Sequence, residues 1–394
     1  MKWILLFLIV YGVLALSHIL IQMFLAHLEH RKQKGKKFFN YNSGHFPTVS
    51  VVVPSFNEDP ELLDKCLKSI LDQKYEHKIE TFVIDDGSSN LSELKSVYDK
   101  YSKAGMHIIL NDQNIGKRAS QKKAFDLAKT EIVVTVDSDT VIESQYGVMY
   151  IVRQFKNEKV GAVTGDVKVI NKNDNLLTRL ISYRYWTAFH QERAAQSLFS
   201  VLMCCSGPFS AYRKSVLDII KNDYVNQDFL GKKCTYGDDR HLTNLVLEEG
   251  HLVQFDNKAI AFTNVPDTLG KYIKQQIRWN KSFYREILWT FKFAHKRHAY
   301  MAYDLILQSV LPFLLVIALA AMAYQSIFVD IHNFYKYILI LIGIATLRAL
   351  YGIFRTRDLG FLLFIVYGFI HILFLIPVRF YALGTLRSTK WGTR

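Results

Sequence analysis

The residues best suited to chemistry in this chain are carboxylates placed where strands end. Glu131-Ile132-Val133-Val134-Thr135-Val136 is an apolar, β-branched run leading straight into Asp137-Ser138-Asp139. Such a run is what a parallel-sheet strand covered on both faces looks like. Strand side chains repeat every second residue, so the spacing predicts Asp137 and Asp139 on one side. Two acids side by side repel unless a cation sits with them. Hard oxygen ligands without His or Cys favour Mg²⁺ or Mn²⁺, and Mg²⁺ commonly takes phosphate oxygens as its remaining ligands. In open α/β sheets, ligands bind at this end of the strands. The plainer alternative is that Asp-Ser-Asp only caps a turn.

Two earlier strands end in the same manner. Thr48 to Val53 runs to Pro54 and then Ser55-Phe56-Asn57-Glu58, and Ile79 to Ile84 is closed by Asp85-Asp86-Gly87. Between them a helix opens at Pro60, with Leu63, Cys66, Leu67, Ile70 and Leu71 at helical spacing. A further helix and a short strand, His107 to Leu110, lead to the loop Asn111 to Arg118, where Lys117 and Arg118 follow Gly116 and suit phosphate neutralisation. This alternation predicts a doubly wound parallel sheet with all three strand ends on one edge. A nucleotide there would place its base and ribose near the first two ends and its diphosphate near the metal. Neither G-x-G-x-x-G nor a Walker A sequence is present, which argues against a dinucleotide enzyme and a P-loop ATPase.

The second half adds three further groups. After a strand at Val160 to Ile170 and a long helix around Leu176 to Gln196, the apolar run Leu198 to Cys205 reads as a packed strand. Ser206-Gly207-Pro208 then marks a tight turn, either simply buried or open to close approach by a sugar. Tyr236-Gly237-Asp238-Asp239-Arg240 opens a helix whose apolar positions are Leu242, Leu245, Val246 and Leu247. Helix capping explains one of these acids but not both. A carboxylate beside a metal-diphosphate is what deprotonation of a sugar hydroxyl needs. Gln275, Arg278 and Trp279 share one helix face, offering a flat ring for a sugar and a guanidinium for phosphate. An interfacial Trp on an amphipathic helix is compatible with the same pattern.

These groups must be positioned by a chain of 394 residues with a net charge of +14. Half of it is hydrophobic, concentrated in Trp3 to Leu28 and in three stretches after Asp304. The first is longer than a signal-peptide core and lacks a clear cleavage site, so an uncleaved anchor is expected over 1–28. A basic linker (29–48) follows, which by the positive-inside rule faces the cytoplasm and places the domain at 49–282 inside. Residues 283–303 mix Phe, Trp and Leu with Lys, Arg and His, as in a helix lying in the headgroup plane. The rest, 304–394, divides into spans near 304–328 and 335–354, a segment at 359–383 broken near Pro377 that turns within the membrane, and a cytosolic tail. Basic residues cluster beside the apolar stretches, which favours membrane lipids as their partner. No nucleic-acid-binding motif occurs. Cys66, Cys204, Cys205 and Cys234 show no metal or redox spacing.

Asp85-Asp86-Gly87, Asp137-Ser138-Asp139, Gly237-Asp238-Asp239-Arg240 and Gln275-x-x-Arg278-Trp279, in this order, resemble the inverting family 2 glycosyltransferases with a GT-A fold, specifically the processive membrane synthases. Glu192 to Leu198, Cys205-Ser206-Gly207-Pro208, Arg278 to Phe283 and Trp391-Gly392-Thr393-Arg394 look like class I hyaluronan synthases, although bacterial members generally carry two N-terminal spans and one is found here. Met203-Cys204-Cys205 and Val265 to Leu269 are also similar to rhizobial chitin-oligosaccharide synthases. The resemblance implies an α/β GT-A domain, Rossmann-like, with transmembrane and interfacial helices at the plasma membrane. It implies nucleotide-sugar contacts from Pro54, Glu58, Asp85, Asp86, Lys117, Arg118, Asp137 and Arg278, with Mg²⁺ or Mn²⁺ on Asp139 and Asp137. Asp239 would be the base. Cys205, Ser206, Gly207, Asp238, Arg240 and Trp279 would meet the acceptor. The implied product is hyaluronan from UDP-GlcNAc and UDP-GlcA, leaving through the membrane helices as a nascent polysaccharide. The alternative is chitin or its oligosaccharides from UDP-GlcNAc alone.

Overall fold

The computed structural model describes residues 2–35 and 46–389. Half of the basic linker (36–45) and the terminal Trp391 to Arg394 lie outside the described residues. Strands β1 (Val49–Ser55), β2 (Glu80–Asp85), β3 (His107–Leu110) and β4 (Ile132–Val136) form where β-branched runs occur. They alternate with helices Pro60–Leu71, Leu91–Lys103 and Lys117–Leu127, the first N-capped by Asp59 with Pro in its opening turn. These four strands pair in parallel in the order β3-β2-β1-β4. The sheet then departs from the expected all-parallel form. β5 (Val141–Ile142), β6 (Val160–Val169) and β7 (Phe209–Arg213) follow in sequence, a small hairpin β8 (Asp228–Phe229) and β9 (Lys232–Lys233) stands apart, and β10 (Leu252–Thr263) completes the main sheet. β7 sits antiparallel between β4 and β6, and β5 pairs antiparallel with β10 at the far edge. The result is an eight-stranded mixed sheet, β3-β2-β1-β4-β7-β6-β10-β5.

Both faces of the sheet are covered. Val49, Val51 and Val53 of β1, with Ile132, Val134 and Val136 of β4, pack under helices Pro60–Leu71 and Leu91–Lys103. Val52 and Val133 point the other way, toward Phe125, Leu245 and a core that continues into Ala26, Met301 and Leu305 of the apolar helices. One hydrophobic core therefore joins the sheet to the helical bundle. Burying side chains of this size contributes about 1.5–3 kcal/mol each.

Between sheet and bundle lies a long helical segment, Leu176–Thr187, continued by a π turn (Ala188–Arg193) and a last turn (Ala194–Leu198). Residues 199–208, expected to extend a packed strand to Cys205, instead form a loop joined to the sheet by a bridge from Val201 to Val253. The helix expected to start at 283 begins at Leu269, N-capped by Thr268, and runs unbroken to Ala294, since no Gly or Pro interrupts it after its first turn.

Four helices among the described residues are long and apolar enough to cross a membrane: Lys2–Gly35, Ala299–Phe328, His332–Thr356 and Leu359–Gly384. They expose Trp3, Ile9, Phe24, Phe328, Leu339 and Leu373 broadly, a surface that water would not tolerate at this extent. The break expected near Pro377 is not a reversal. The chain stays helical from Leu359 to Gly384, with a π turn at His371–Leu375 immediately before that proline. Widening the turn there relieves the clash between a proline ring and the preceding turn's carbonyl.

Candidate active site

β4 ends at Val136, so Asp137 and Asp139 stand in a turn closed by Thr140 N donating to the Asp137 carbonyl at 3.0 Å. The expected strand alternation does not govern them. Asp137 turns to Lys117, whose Nζ lies 2.6 Å from Oδ1. Asp139 Oδ1 accepts from Thr140 and Thr263 hydroxyls at 3.4 and 3.3 Å, which ties it to the end of β10. Ser138, between them, donates to Glu58 Oε2 at 2.6 Å and so links this turn to the end of β1. These contacts join the ends of β1, β4 and β10.

Asp85 and Asp86 build the loops behind this edge. Asp85 is wholly buried and accepts from Ser88 N at 2.8 Å and Tyr98 Oη at 2.6 Å. Asp86 accepts from Ile115 N, Gly116 N and Ser120 Oγ, all at 2.9 Å, and from Asn111. These bonds fix the loop that delivers Lys117. Arg118 turns away from the edge into the core. It donates to the carbonyls of Tyr224 and Tyr236 and lies 3.8 Å from Asp238, so it braces the segment leading to Asp238 and Asp239.

Asp238 and Asp239 open the helix Asp238–Glu248 behind Gly237, which has φ +85°. A Cβ on Gly237 would lie 2.7 Å from Ser282 Cβ, so the absence of a side chain lets this helix start press against the helix Leu269–Ala294. The two helices are also pinned by Glu286, which bonds His241 Nδ1 at 3.1 Å and Asn244 at 3.1 Å. Asp238 lies 3.5 Å from Lys117. Asp239 accepts from Arg240 N at 2.8 Å and from the Cys204 thiol at 3.6 Å.

The charges act on one another. Burial and the adjacent Asp238 raise the pKa of Asp239 above the usual carboxylate range. Burial opposes the Lys117 charge, but Asp137, Asp238 and Asp239 outweigh it and hold the ammonium firmly protonated. Burial, with Asp239 next, pushes the Cys204 thiol up to about 11. It is therefore a neutral donor at neutral pH. The phenol of Tyr185 is raised by burial and then by Asp139, with Arg193 opposing and Asp137 and Asp239 adding smaller contributions.

The loop 203–208 closes the other side. Cys205 N donates to Thr243 Oγ1 at 2.8 Å and Ser206 N to Thr164 Oγ1 at 2.9 Å, while Arg193 Nε holds the Cys204 carbonyl at 3.1 Å. A Cβ on Gly207 would stand 3.0 Å from Asp137 Oδ2, so this glycine lets the loop meet the acid turn. Trp279 is half-exposed, and its ring lies 6.3 Å from that of Tyr185. Arg240 rests over Phe283. Pro54, within β1, pairs with Ile84, and the Arg278 guanidinium slightly lowers the Tyr236 phenol that burial raises.

Residues 50–220 match the family described as Glycosyl transferase family 2. An N-acetylglucosaminyltransferase of Neorhizobium galegae is 37% identical over 349 residues, covering 88% of this chain and 80% of its own. The chain belongs to glycosyltransferase family 2. Another N-acetylglucosaminyltransferase, of Rhizobium sp. (strain N33), is 36% identical over 351 residues, covering 89% and 77%. A solved mannosyltransferase of Pyrobaculum calidifontis, in complex with GDP-Man and Mn²⁺, superposes with a TM-score of 0.61 at 18% identity, covering 94% of this chain and 99% of that one. The glycosyltransferase therefore has the expected GT-A fold, its mixed sheet extended by apolar helices. Tyr185, Cys204, Thr243 and Thr263 of this glycosyltransferase were not anticipated as site residues. A tyrosine or threonine on a helix or strand carries no local signal of this kind, and Cys204 was masked by the apolar run around it.

Among the described residues, no group of three or more His, Cys, Asp or Glu is gathered closely enough to hold a metal by itself.

Proposed function

We propose that this glycosyltransferase transfers GlcNAc from UDP-GlcNAc alone, building a β-linked chitin-type oligosaccharide or polymer. The observation that carries the reading is the similarity, over most of the chain, to relatives named N-acetylglucosaminyltransferase. It favours a single donor over the expected alternation with UDP-GlcA, and hyaluronan gains no support from these relatives. In this reading uridine lies near Pro54, Glu58 and Asp86, with Asp85 bracing that loop from behind. The diphosphate lies near Lys117 and Arg278.

Asp137 and Asp139 would hold Mg²⁺ or Mn²⁺. Their hard oxygens suit either ion, and the long hydroxyl contacts on Asp139 Oδ1 are weak ones to exchange. When bound, such an ion neutralises charge on the departing diphosphate. The chain's own residues do the rest. Asp239, its basicity strengthened by burial and by Asp238, takes the proton from the acceptor hydroxyl as that oxygen attacks the anomeric carbon. One displacement turns an α-linked donor into a β-linkage. Arg240 N and the Cys204 thiol orient the carboxylate. Trp279 and Tyr185 offer ring faces to the terminal sugar, and Cys205 to Gly207 bound its other side. Lys32 and Lys34 at the end of the first apolar helix support a cytoplasmic catalytic domain at the plasma membrane, with product leaving through the helices.

The test is incubation of membranes with labelled UDP-GlcNAc, with and without UDP-GlcA. A chitinase-sensitive product from UDP-GlcNAc alone is expected. A product that requires both donors and yields to hyaluronidase would overturn the reading.

A further inference from the structure

The loop that borders the acid turn is held from a second direction, by a buried carboxylate inside the helical bundle. Met203 N donates to Gln196 Oε1 at 3.3 Å. The amide nitrogen of the same Gln196 donates to Asp304 Oδ2 at 2.7 Å. Asp304 has no exposed surface, and Gln196 is also buried. Asp304 further accepts from Gln22 Nε2 at 3.2 Å and Gln308 Nε2 at 2.7 Å, and His18 Nε2 stands 3.8 Å away. One acid therefore gathers the helices Lys2–Gly35 and Ala299–Phe328 and the helical turn Ala194–Leu198.

The chemistry of the groups fixes the direction of the relay. A carboxylate only accepts, so it must face the NH₂ end of Gln196. That leaves the amide oxygen pointing at Met203 N. Without the Asp304 acceptor the Gln196 amide is no longer held in this orientation, and a flipped side chain presents NH₂ to the Met203 N–H, so that hold on the loop is lost. Placing a carboxylate in an apolar bundle is costly unless it is fully bonded, and side chains of this kind within membrane segments tend to have a specific task.

We propose that Asp304 is a positioning residue for acceptor binding, setting the backbone of Met203 to Gly207 through Gln196. This rests on the reading of that loop as part of the acceptor site. Asp304 touches no substrate, and its effect is on where the acceptor sugar sits relative to Asp239.

The experiment uses the full-length detergent-solubilised enzyme, UDP-GlcNAc as donor and chitotetraose as acceptor. Gln196→Ala leaves Asp304 its bonds to Gln22 and Gln308 and removes only the link to the loop. It is expected to raise the acceptor KM about tenfold, the size of one buried hydrogen bond, with the UDP-GlcNAc KM unchanged. Asp304→Ala, which removes the acceptor outright, should do the same. An unchanged acceptor KM in Gln196→Ala, or a donor KM that rises in step with it, would each overturn the proposal. A wild type that does not extend chitotetraose at all removes the acceptor reading, and the inference with it.

Discussion

Replacing Gly237 with alanine tests how the catalytic helix is seated. Two costs follow from the structure. The backbone there has φ +85°, and the left-handed region costs a residue with a Cβ about 1–2 kcal/mol. The new methyl would also stand 2.7 Å from Ser282 Cβ, and overpacking of this kind costs about 1–3 kcal/mol. The sum is roughly 2–5 kcal/mol, relieved either by loss of stability or by a shift of the helix Asp238–Glu248 away from Leu269–Ala294. A shift of about 1 Å at Asp239 would lower transfer about a hundredfold. Ser282→Gly in the same chain removes the steric part and leaves the backbone part. The double variant should therefore regain about 1–3 kcal/mol and most of the transfer rate. Thermal unfolding of the solubilised protein, with kcat for GlcNAc transfer, reads both parts. If Gly237→Ala is neutral, or if Ser282→Gly returns nothing, the close seating of the two helices is not what places Asp239.

Asp239→Asn should lower kcat by about 10²–10⁴ while leaving UDP binding intact, since it removes the base and little else; calorimetric titration with UDP separates the two. Because burial and then Asp238 raise the Asp239 pKa, activity should rise with pH as Asp239 loses its proton, and Asp238→Asn should move that acidic limb to lower pH. A limb that stays or moves upward in the kcat profile contradicts the assignment. Lys117→Met removes the cation 2.6 Å from Asp137 and should raise the UDP-GlcNAc KM far more than the acceptor KM in initial-rate measurements. Chelation with EDTA should abolish transfer, and Mn²⁺ or Mg²⁺ should restore it. Full activity in EDTA would remove Asp137 and Asp139 from a metal role.

Much of the frame can be read from periodicity. β1, β2 and β4 are β-branched runs with nearly every residue buried, and the four apolar helices announce themselves by length. The antiparallel course of β7 cannot be read this way. Phe-Ser-Ala-Tyr-Arg looks the same in either direction, and its pairing is decided by how the preceding helix and loop return the chain. The alternation argument for Asp137 and Asp139 failed for a local reason, since the strand stops one residue earlier and a turn takes over. The run through Cys205 misled because a buried loop and a buried strand share the same apolar composition. The boundary expected at 282/283 fell inside a helix because no helix-breaking residue separates the two stretches.

Residue types and spacing alone determined that this chain carries a covered sheet, membrane-length helices and acids at strand ends and at a helix start. They did so because burial and periodicity are local properties of a stretch of chain. Which acids meet was decided by tertiary structure. Lys117 reaches Asp137, Tyr185 meets Trp279, and Gln196 faces Asp304 only because helices far apart in sequence dock in one arrangement. Contacts such as Gly237 against Ser282 and Glu286 against His241 select that arrangement, and complementarity of this kind exists only once both surfaces have formed.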